Sequence, residues 1–363
     1  MKSNNKKIFI ATGGTGGHIF PSLSLAEFLK EKYQIEIITD KRGIRYLNNF
    51  EQNNIRIIDS GTIFSKNIIV IFNGFIKVIF SFLVSLFFII KDRPKLIIGM
   101  GGYSSFPICV AGFCLKIPIL IYENNLIIGR ANKFILPMAK KVLVSTKDIK
   151  GISPKYSKKI FYSGYLIRSH ILRLKQNKTE NEKNESLSIL IMGGSQSAKV
   201  FGEILPEIMI KCFKNGAKFR IYQQCLENQI NEIKKIYEKN KLDFELFSFA
   251  DDMTKYYKKA NLAITRSGAS SLAELVNLKI PFIAIPLPSS ADNHQLKNAS
   301  YFMEKGYCFM LDQRFLSDKL FQIIMDIGKD KKKLSLIKEK MAKHSDMDTN
   351  PKIEQLIEKI LNE

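Results

Sequence analysis

Cysteine is scarce in this 363-residue chain: the five stand at 109, 114, 212, 225 and 308. Their number is odd and no CxxC occurs, which excludes a disulfide framework and a zinc site built on cysteine pairs; a reducing cytosol is the expected setting. A long apolar run near the start is also missing. The basic start MKSNNKKIFIATGG has only the short apolar stretch from Ile8 to Ala11, so export is not expected. Acidic residues are few. Asp+Glu number 34 against 56 Lys+Arg, a net charge of +22 that favours an anionic partner: nucleic acid, an anionic membrane face or a phosphorylated substrate. Part of the excess carries no functional meaning, because Lys rises together with Ile and Asn, as AT-rich coding produces without selection for binding. No RNP aromatic motif or helix-turn-helix pattern accompanies the charge, so nucleic acid is not the expected partner. Hydrophobic residues at 45% and charged residues at 25% exclude wholesale disorder and fibrous folds.

At roughly 150 residues per domain the length implies two domains, or at most three. The run Ile8–Ala11 ends in Thr12-Gly13-Gly14-Thr15-Gly16-Gly17-His18, and an apolar helical pattern follows from near Pro21. This strand, glycine loop and helix recur. Leu96–Ile98 runs into Gly99-Met100-Gly101-Gly102-Tyr103, and Ile189–Met192 runs into Gly193-Gly194-Ser195-Gln196-Ser197. Further strands are expected at Ile35–Thr39, Ile117–Tyr122, Lys141–Ser145, Lys218–Tyr222, Leu262–Thr265 and Pro281–Ile285, alternating with helices, which implies parallel sheets covered on both faces. The polar stretch Lys175–Ser188 is the expected linker. Asn350 and Pro351 open a closing amphipathic helix whose apolar face carries Ile353, Leu356, Ile357, Ile360 and Leu361.

The most hydrophobic segment is Ile68–Ile90. Only Val78–Ile90 is free of charge and of Asn, short of the about 20 apolar residues a spanning helix needs. Asn73, Gly74, Lys77, Ser81 and Ser85 form a narrow polar stripe, and Lys66, Lys91, Arg93 and Lys95 flank it. An in-plane helix, half packed on the protein and half in lipid, is expected; a plain buried helix and a true span are the alternatives.

The first glycine loop fits neither GxGxxG, since Ile19 stands where a glycine is needed, nor a P-loop, since no GK[ST] follows. A glycine-rich turn at a helix N-terminus suits an anion such as phosphate, and four glycines in five positions exceed what a turn needs. His18 at its mouth is either a general base or a cap on the loop backbone. Gly193–Gln196 repeats the phosphate logic. In Arg266–Glu274, Glu274 could accept from both ribose hydroxyls of a nucleotide, but Ser271-x-x-Glu274 also reads as a capping box, which the residues alone favour. Asp292-Asn293-His294-Gln295 lies past a strand end, where α/β proteins bind ligands. Asp346-Met347-Asp348 has the DxD form that holds a metal–nucleotide in some transferases, but it lies in a polar tail and reads as a solvated loop.

Together, Gly13–His18, Gly99–Tyr103, Glu123–Asn125, Gly193–Gln196, Asp251–Met253, Arg266–Glu274 and Asp292–Gln295 resemble the MurG family in order and spacing, over nearly the whole chain. The family transfers N-acetylglucosamine from UDP to lipid I in bacterial peptidoglycan synthesis. The resemblance implies an α/β GT-B fold of two Rossmann-like parallel-sheet domains facing an interdomain cleft. Residues 1–165 would form an acceptor-binding, membrane-associating domain, with 350–363 packing back on it, and 166–349 the UDP-sugar domain. UDP-N-acetylglucosamine and lipid I would be the substrates, with no cofactor and no metal, at the cytoplasmic face of the plasma membrane. The anionic membrane surface would meet Ile68–Ile90, and other cell-wall synthesis enzymes are candidate partners.

Carried over by motif, His18 would be the catalytic base. Gly14, Gly101, Gly102 and Tyr103 would serve the acceptor. Thr15, Gly16, Gly17, Asn125, Arg168, Ser195, Gln196, Ala250, Ala269, Ser270, Glu274, His294 and Gln295 would bind the donor. Among these, Arg168 and Ser195 would hold the diphosphate, Ala250 the uracil, Glu274 the ribose and Gln295 the sugar. The chain departs from the family at Asn124, at Tyr165-Leu166 and at Ser197, where the family has Gln, Asn-Pro and Gly. Rival readings are another GT-B UDP-sugar transferase or an epimerase, a nucleic-acid-binding protein, and an inactive basic membrane-binding protein.

Overall fold

The structure is a computed structural model. It describes residues 6–14, 16–47, 50–51, 54–58, 68–174, 186–248, 250 and 252–363, with the backbone alone at 68–72 and 194–198. Two compact units divide the chain: Met1–Ser169 with Asp346–Glu363, and His170–Ser345.

The first unit is built on a seven-stranded sheet. Its strands are β1 Lys7–Ala11, β2 Gln34–Thr39, β3 Ile55–Ile57, β4 Leu96–Gly99, β5 Ile119–Glu123, β6 Lys141–Val144 and β7 Ile160–Tyr162, in the order β3-β2-β1-β4-β5-β6-β7. Every pairing is parallel. The side-chain period of two splits the sheet between two cores. Ile8 and Ile10 of β1 enter one with Leu25 and Leu29, while Phe9 and Ala11 enter the other with Ile97 and Ile108.

The second unit repeats the plan with six parallel strands. They are β8 Leu187–Met192, β9 Phe219–Gln224, β10 Asp243–Phe247, β11 Leu262–Thr265, β12 Phe282–Ala284 and β13 Cys308–Met310, in the order β10-β9-β8-β11-β12-β13. β1 and β8 therefore hold the same place in their sheets. In each, the chain leaves the central strand in one direction, then returns to lay the fourth strand on its other side. The β1/β4 and β8/β11 boundaries are topological switch points, and the crevice beyond the carboxyl ends of the strands there is where open α/β sheets take ligands.

Several expectations change. The first helix is Gly16–Leu29, so it starts before Pro21 and contains it. Leu187 and Ser188 belong to β8, while 175–185 of the expected linker lie outside the described residues. Leu166, Ile167 and Arg168 belong to the first unit, where Leu166 joins a core. The closing helix is Thr349–Asn362, and it buries Ile353, Leu356, Ile357 and Ile360 among the side chains of β1, β2 and the first helix. Asp346 is not in a solvated loop. It is 3% exposed and its carboxylate accepts the Tyr165 N–H at 2.9 Å.

The helix Ile68–Asp92 turns its small residues inward. Ser81, Ser85 and Ile89 are buried, and the Ser85 hydroxyl donates to the Ser81 carbonyl at 2.6 Å. Phe75, Ile76, Ile79, Phe80, Leu83, Phe87 and Ile90 face outward and are exposed. Its end is pinned by charge: Asp92 pairs with Lys7 at 3.1 Å and Arg56 at 2.7 Å, and both cations also pair with Glu36.

Candidate functional site

In the first unit the loops after β1 and β4 meet at the switch point. Gly101 and Gly102 take φ of +88° and +80°, and a Cβ on Gly101 would come within 2.9 Å of the His18 ring. A Cβ on Gly102 would come as close to the Gly13 carbonyl oxygen. The Ser104 hydroxyl closes the contact by donating to the Thr12 carbonyl at 3.2 Å. His18 Nδ1 lies 3.0 Å from the Met100 carbonyl. A carbonyl can only accept, so Nδ1 carries the proton and the basic lone pair is on Nε2. The bond ties the ring to the loop after β4 and fixes its tautomer.

The glycine count is not itself a sign of an anion site. Gly14 takes φ +83°, a Cβ on Gly13 would overlap the Ser104 hydroxyl, and one on Gly16 would press on the Phe20 ring at 2.8 Å. These three of the four answer structural needs, so the argument for an anion rests on the switch-point position. Gly17 is exposed, Thr15 lies outside the described residues, and Tyr103 is half-buried in the turn before the helix Ser105–Cys114.

Asn125 is held by a residue that sequence reasoning did not single out. The buried Glu123 carboxylate accepts from the Asn125 backbone and side-chain nitrogens, each at 3.0 Å, and from Gly129 and Asn132 at 2.8 and 2.9 Å. Four donors on one carboxylate fix the loop. Arg168 is almost buried, with its guanidinium 4.7 Å above the Phe20 ring. Where the family has Asn-Pro, Leu166 uses its N–H to donate to the Tyr122 hydroxyl at 3.0 Å, a bond proline cannot make.

In the second unit Gly193 caps the helix Gly194–Lys214, so Ser195 and Gln196 lie in its first turn. Beside it, Gly268 caps the helix Ala269–Asn277, and Ala269 and Ser270 are its first two residues. Two helix N-termini thus open at one switch point, a setting for an anion. Gly268 as the cap excludes the capping box from Ser271. Glu274 instead lies one turn further in, and its carboxylate accepts the Tyr257 hydroxyl at 2.7 Å. The sequence carried Arg266 only as the first residue of its motif and did not point to Tyr257; nothing in a lone tyrosine signals such a contact.

Gln295 uses its Oε1 to accept from the Ser267 and Leu287 backbone at 3.1 and 3.0 Å, so it latches two loops and presents its amide nitrogen as a donor. His294 is half-buried and donates Nδ1–H to the Ala291 carbonyl at 2.8 Å. Asp292 and Asn293 before it both take left-handed backbone, φ 51° and 53°. Ala250 follows the edge strand β10, which lies two strands from β8 in the sheet. Among the described residues no cluster of three or more His, Cys, Asp or Glu could hold a metal ion.

Comparison with known proteins follows this geometry. The N-terminal domain of glycosyltransferase family 28 matches residues 8–144 and its C-terminal domain residues 188–357. The chain belongs to glycosyltransferase family 28. The C-terminal match runs past Ser345 into the helix that packs in the first unit. A UDP-N-acetylglucosamine–N-acetylmuramyl-(pentapeptide) pyrophosphoryl-undecaprenol N-acetylglucosamine transferase of Pelagibacter ubique is 37% identical over 341 residues, 93% of this chain and 94% of the relative. The enzyme of the same name from Rickettsia bellii is 34% identical over 336 residues, 88% and 91% of the two chains. Among solved structures, Acinetobacter baumannii MurG superposes with a TM-score of 0.76 at 24% identity, covering 98% of this chain and 99% of that one. The S. aureus MnaA–UDP co-structure reaches 0.70 at 16% identity, covering 98% and 97%. The family 28 chain thus has the two parallel-sheet domains of the GT-B fold.

Proposed function

We propose that this protein transfers N-acetylglucosamine from UDP-N-acetylglucosamine to lipid I, giving lipid II. The observation that carries the reading is its 37% identity, over 93% of the chain, to a transferase named for that reaction. The sequence relatives support transfer over epimerisation, nucleic-acid binding or an inactive scaffold.

The geometry supplies roles for the reaction. In the first unit, His18 takes the acceptor hydroxyl proton on Nε2, with Nδ1–H anchored on Met100. Gly14, Gly101, Gly102 and Tyr103 line the acceptor side, and Asn125, set by Glu123, meets the sugar. In the second unit the helix ends at Gly193 and Gly268 face the charge that gathers on the UDP leaving group. Glu274 accepts from the ribose, and the Gln295 amide donates to the sugar. A single displacement with inversion needs no covalent intermediate on the protein.

The outward face of Ile68–Asp92 lies on the anionic cytoplasmic surface of the membrane. The stretch Asn73–Asp92 is long and apolar enough to cross a bilayer, with 22% of it buried. Its packing through Ser81, Ser85 and Ile89 and the anchoring of Asp92 favour a helix that stays on the protein and lies in the plane.

Transfer of radiolabelled sugar from UDP-N-acetylglucosamine to a lipid I analogue, with and without EDTA, tests the reading. Acceptor-dependent incorporation unchanged by EDTA is expected. His18→Ala should lower kcat by about 100-fold or more while UDP affinity stays within about twofold. Turnover of the donor without acceptor, or full activity in His18→Ala, would overturn it.

A further inference from the structure

Tyr122 stands in β5 one residue before Glu123, and its hydroxyl reaches from the loop of Asn125 to a second loop. The ring is 1% exposed and lies in the same core as Leu143 and Leu166. The hydroxyl accepts the Leu166 N–H at 3.0 Å. For its own proton it has Asn124 Oδ1 at 3.2 Å and the Gly164 carbonyl at 3.4 Å. Burial pushes its pKa far above the ordinary phenol range, so that proton stays in place at neutral pH. One oxygen thus bridges the loops after β5 and β7, which β6 separates in the sheet. Asn124 and Leu166 both stand where the chain departs from the family, and they share this one partner.

The two loops are held differently. The loop after β5 is fixed by the Glu123 carboxylate. There Asn132 also donates to the Tyr122 carbonyl at 2.9 Å, and the buried Ser145 hydroxyl donates to the Asn124 carbonyl at 2.9 Å. The segment after β7 is an arm, buried from Ser163 to Arg168 and exposed from Ser169, where the chain leaves the first unit. Its residues are held in turn: Tyr165 N–H by Asp346, Leu166 N–H by Tyr122, the Ile167 carbonyl by the Ser24 hydroxyl at 2.7 Å, and the Arg168 guanidinium by the Phe20 ring. The hold on Leu166 ties this arm to the loop of Asn125. Phenylalanine would fill the core as well as tyrosine does, so what the oxygen adds is this tie.

We propose that Tyr122 is a positioning residue for the transfer: its hydroxyl fixes the arm against the Glu123-bound loop and so sets Arg168 in register with Asn125. The proposal rests on the reading of Arg168 and Asn125 as donor-binding residues, and adds to them a residue that acts through the backbone behind them.

The test measures sugar transfer to a lipid I analogue by wild type, Tyr122→Phe, Arg168→Ala and the double variant. Wild type should transfer; if it does not, the functional reading itself fails. Tyr122→Phe should lower kcat/KM for UDP-N-acetylglucosamine by roughly tenfold, as for a displaced binding group, with KM for the lipid I analogue within about twofold. In the Arg168→Ala background the same change should matter by less than about twofold, because the hydroxyl acts through the side chain that has gone. The proposal is overturned if Tyr122→Phe keeps wild-type kcat/KM, whatever its melting temperature, since the hydroxyl then only stabilises the fold. It is equally overturned if the loss is the same factor with and without Arg168. Should Tyr122→Phe not fold, Asn124→Ala removes an acceptor while the Tyr122 ring stays in place, and must show the same dependence on Arg168.

Discussion

A glycine can be kept for its backbone, for its packing or for what approaches it, and the two sites use all three. Gly101 and Gly102 need positive φ, and Gly13 needs room against Ser104. Gly268 needs neither: its φ is −67°, and a Cβ there meets nothing within 4 Å. On the proposed UDP-binding reading, the diphosphate would approach the first N–H groups of the helix Ala269–Asn277 at this point. Gly268→Ala should therefore change unfolding free energy by less than about 1 kcal/mol, yet weaken UDP binding by roughly tenfold to a hundredfold. Thermal melting and calorimetry on one sample check both halves. At this scale the sequence carried the glycine turns and His18, because turn chemistry is local. It left Glu274 ambiguous, since a cap and a ligand use the same residue, and the choice depended on whether Gly268 or Ser271 starts the helix. Glu123, Tyr122 and Tyr257 act through partners that are brought together only by folding.

The strands the sequence did not disclose share one property: β3, β7, β10 and β13 are the edges of their sheets. An edge strand is covered on fewer sides, so β3 and β7 are three residues long and half-exposed, and β10 reads DFELF. These three lack the long continuous apolar run by which the central strands announce themselves, whereas β13, Cys308-Phe309-Met310, is apolar but only three residues long. The apolar helix was legible as a long apolar face with a narrow polar stripe; of that stripe Gly74, Ser81 and Ser85 face the protein, while Asn73 and Lys77 are exposed. Packing explains this, because small side chains let it approach the helix Ser105–Cys114 closely while Phe80, Leu83 and Phe87 remain outside. Phe80→Asp with Leu83→Asp should cut partition onto vesicles containing anionic phospholipid by tenfold or more, since each buried side chain contributes about 1.5–3 kcal/mol. UDP binding by the same variant should be unchanged. Equal vesicle binding would remove this face from the membrane contact.

For the whole molecule, strand–helix alternation and the repeated glycine turn sufficed to read two α/β halves, offset by 180 residues between Gly13 and Gly193. The unit boundaries were harder. The chain's return to the first unit at Asp346 depends on one buried carboxylate and on Gly164, whose φ of +98° and missing side chain make room for Thr349. A polar DxD tail gives no hint of that. Truncation after Ser345 should remove Ile353, Leu356, Ile357 and Ile360 from the first core. At about 1.5–3 kcal/mol each, this is comparable with the whole stability of a domain, about 5–15 kcal/mol. Limited proteolysis should find Met1–Ser169 digested and His170–Ser345 protected; equal resistance of both would show that the closing helix is dispensable.

That closing helix also sets a schedule. A ribosome delivers β1 first and Thr349–Asn362 last, so the half that is made earliest waits longest for its missing wall. Throughout elongation, Ile8, Ile10, Leu25 and Leu29 await apolar neighbours that have not yet been translated. The later-born half is finished before the earlier one can close, and a stalled or prematurely terminated message yields a protein whose defect lies at the opposite end from the break.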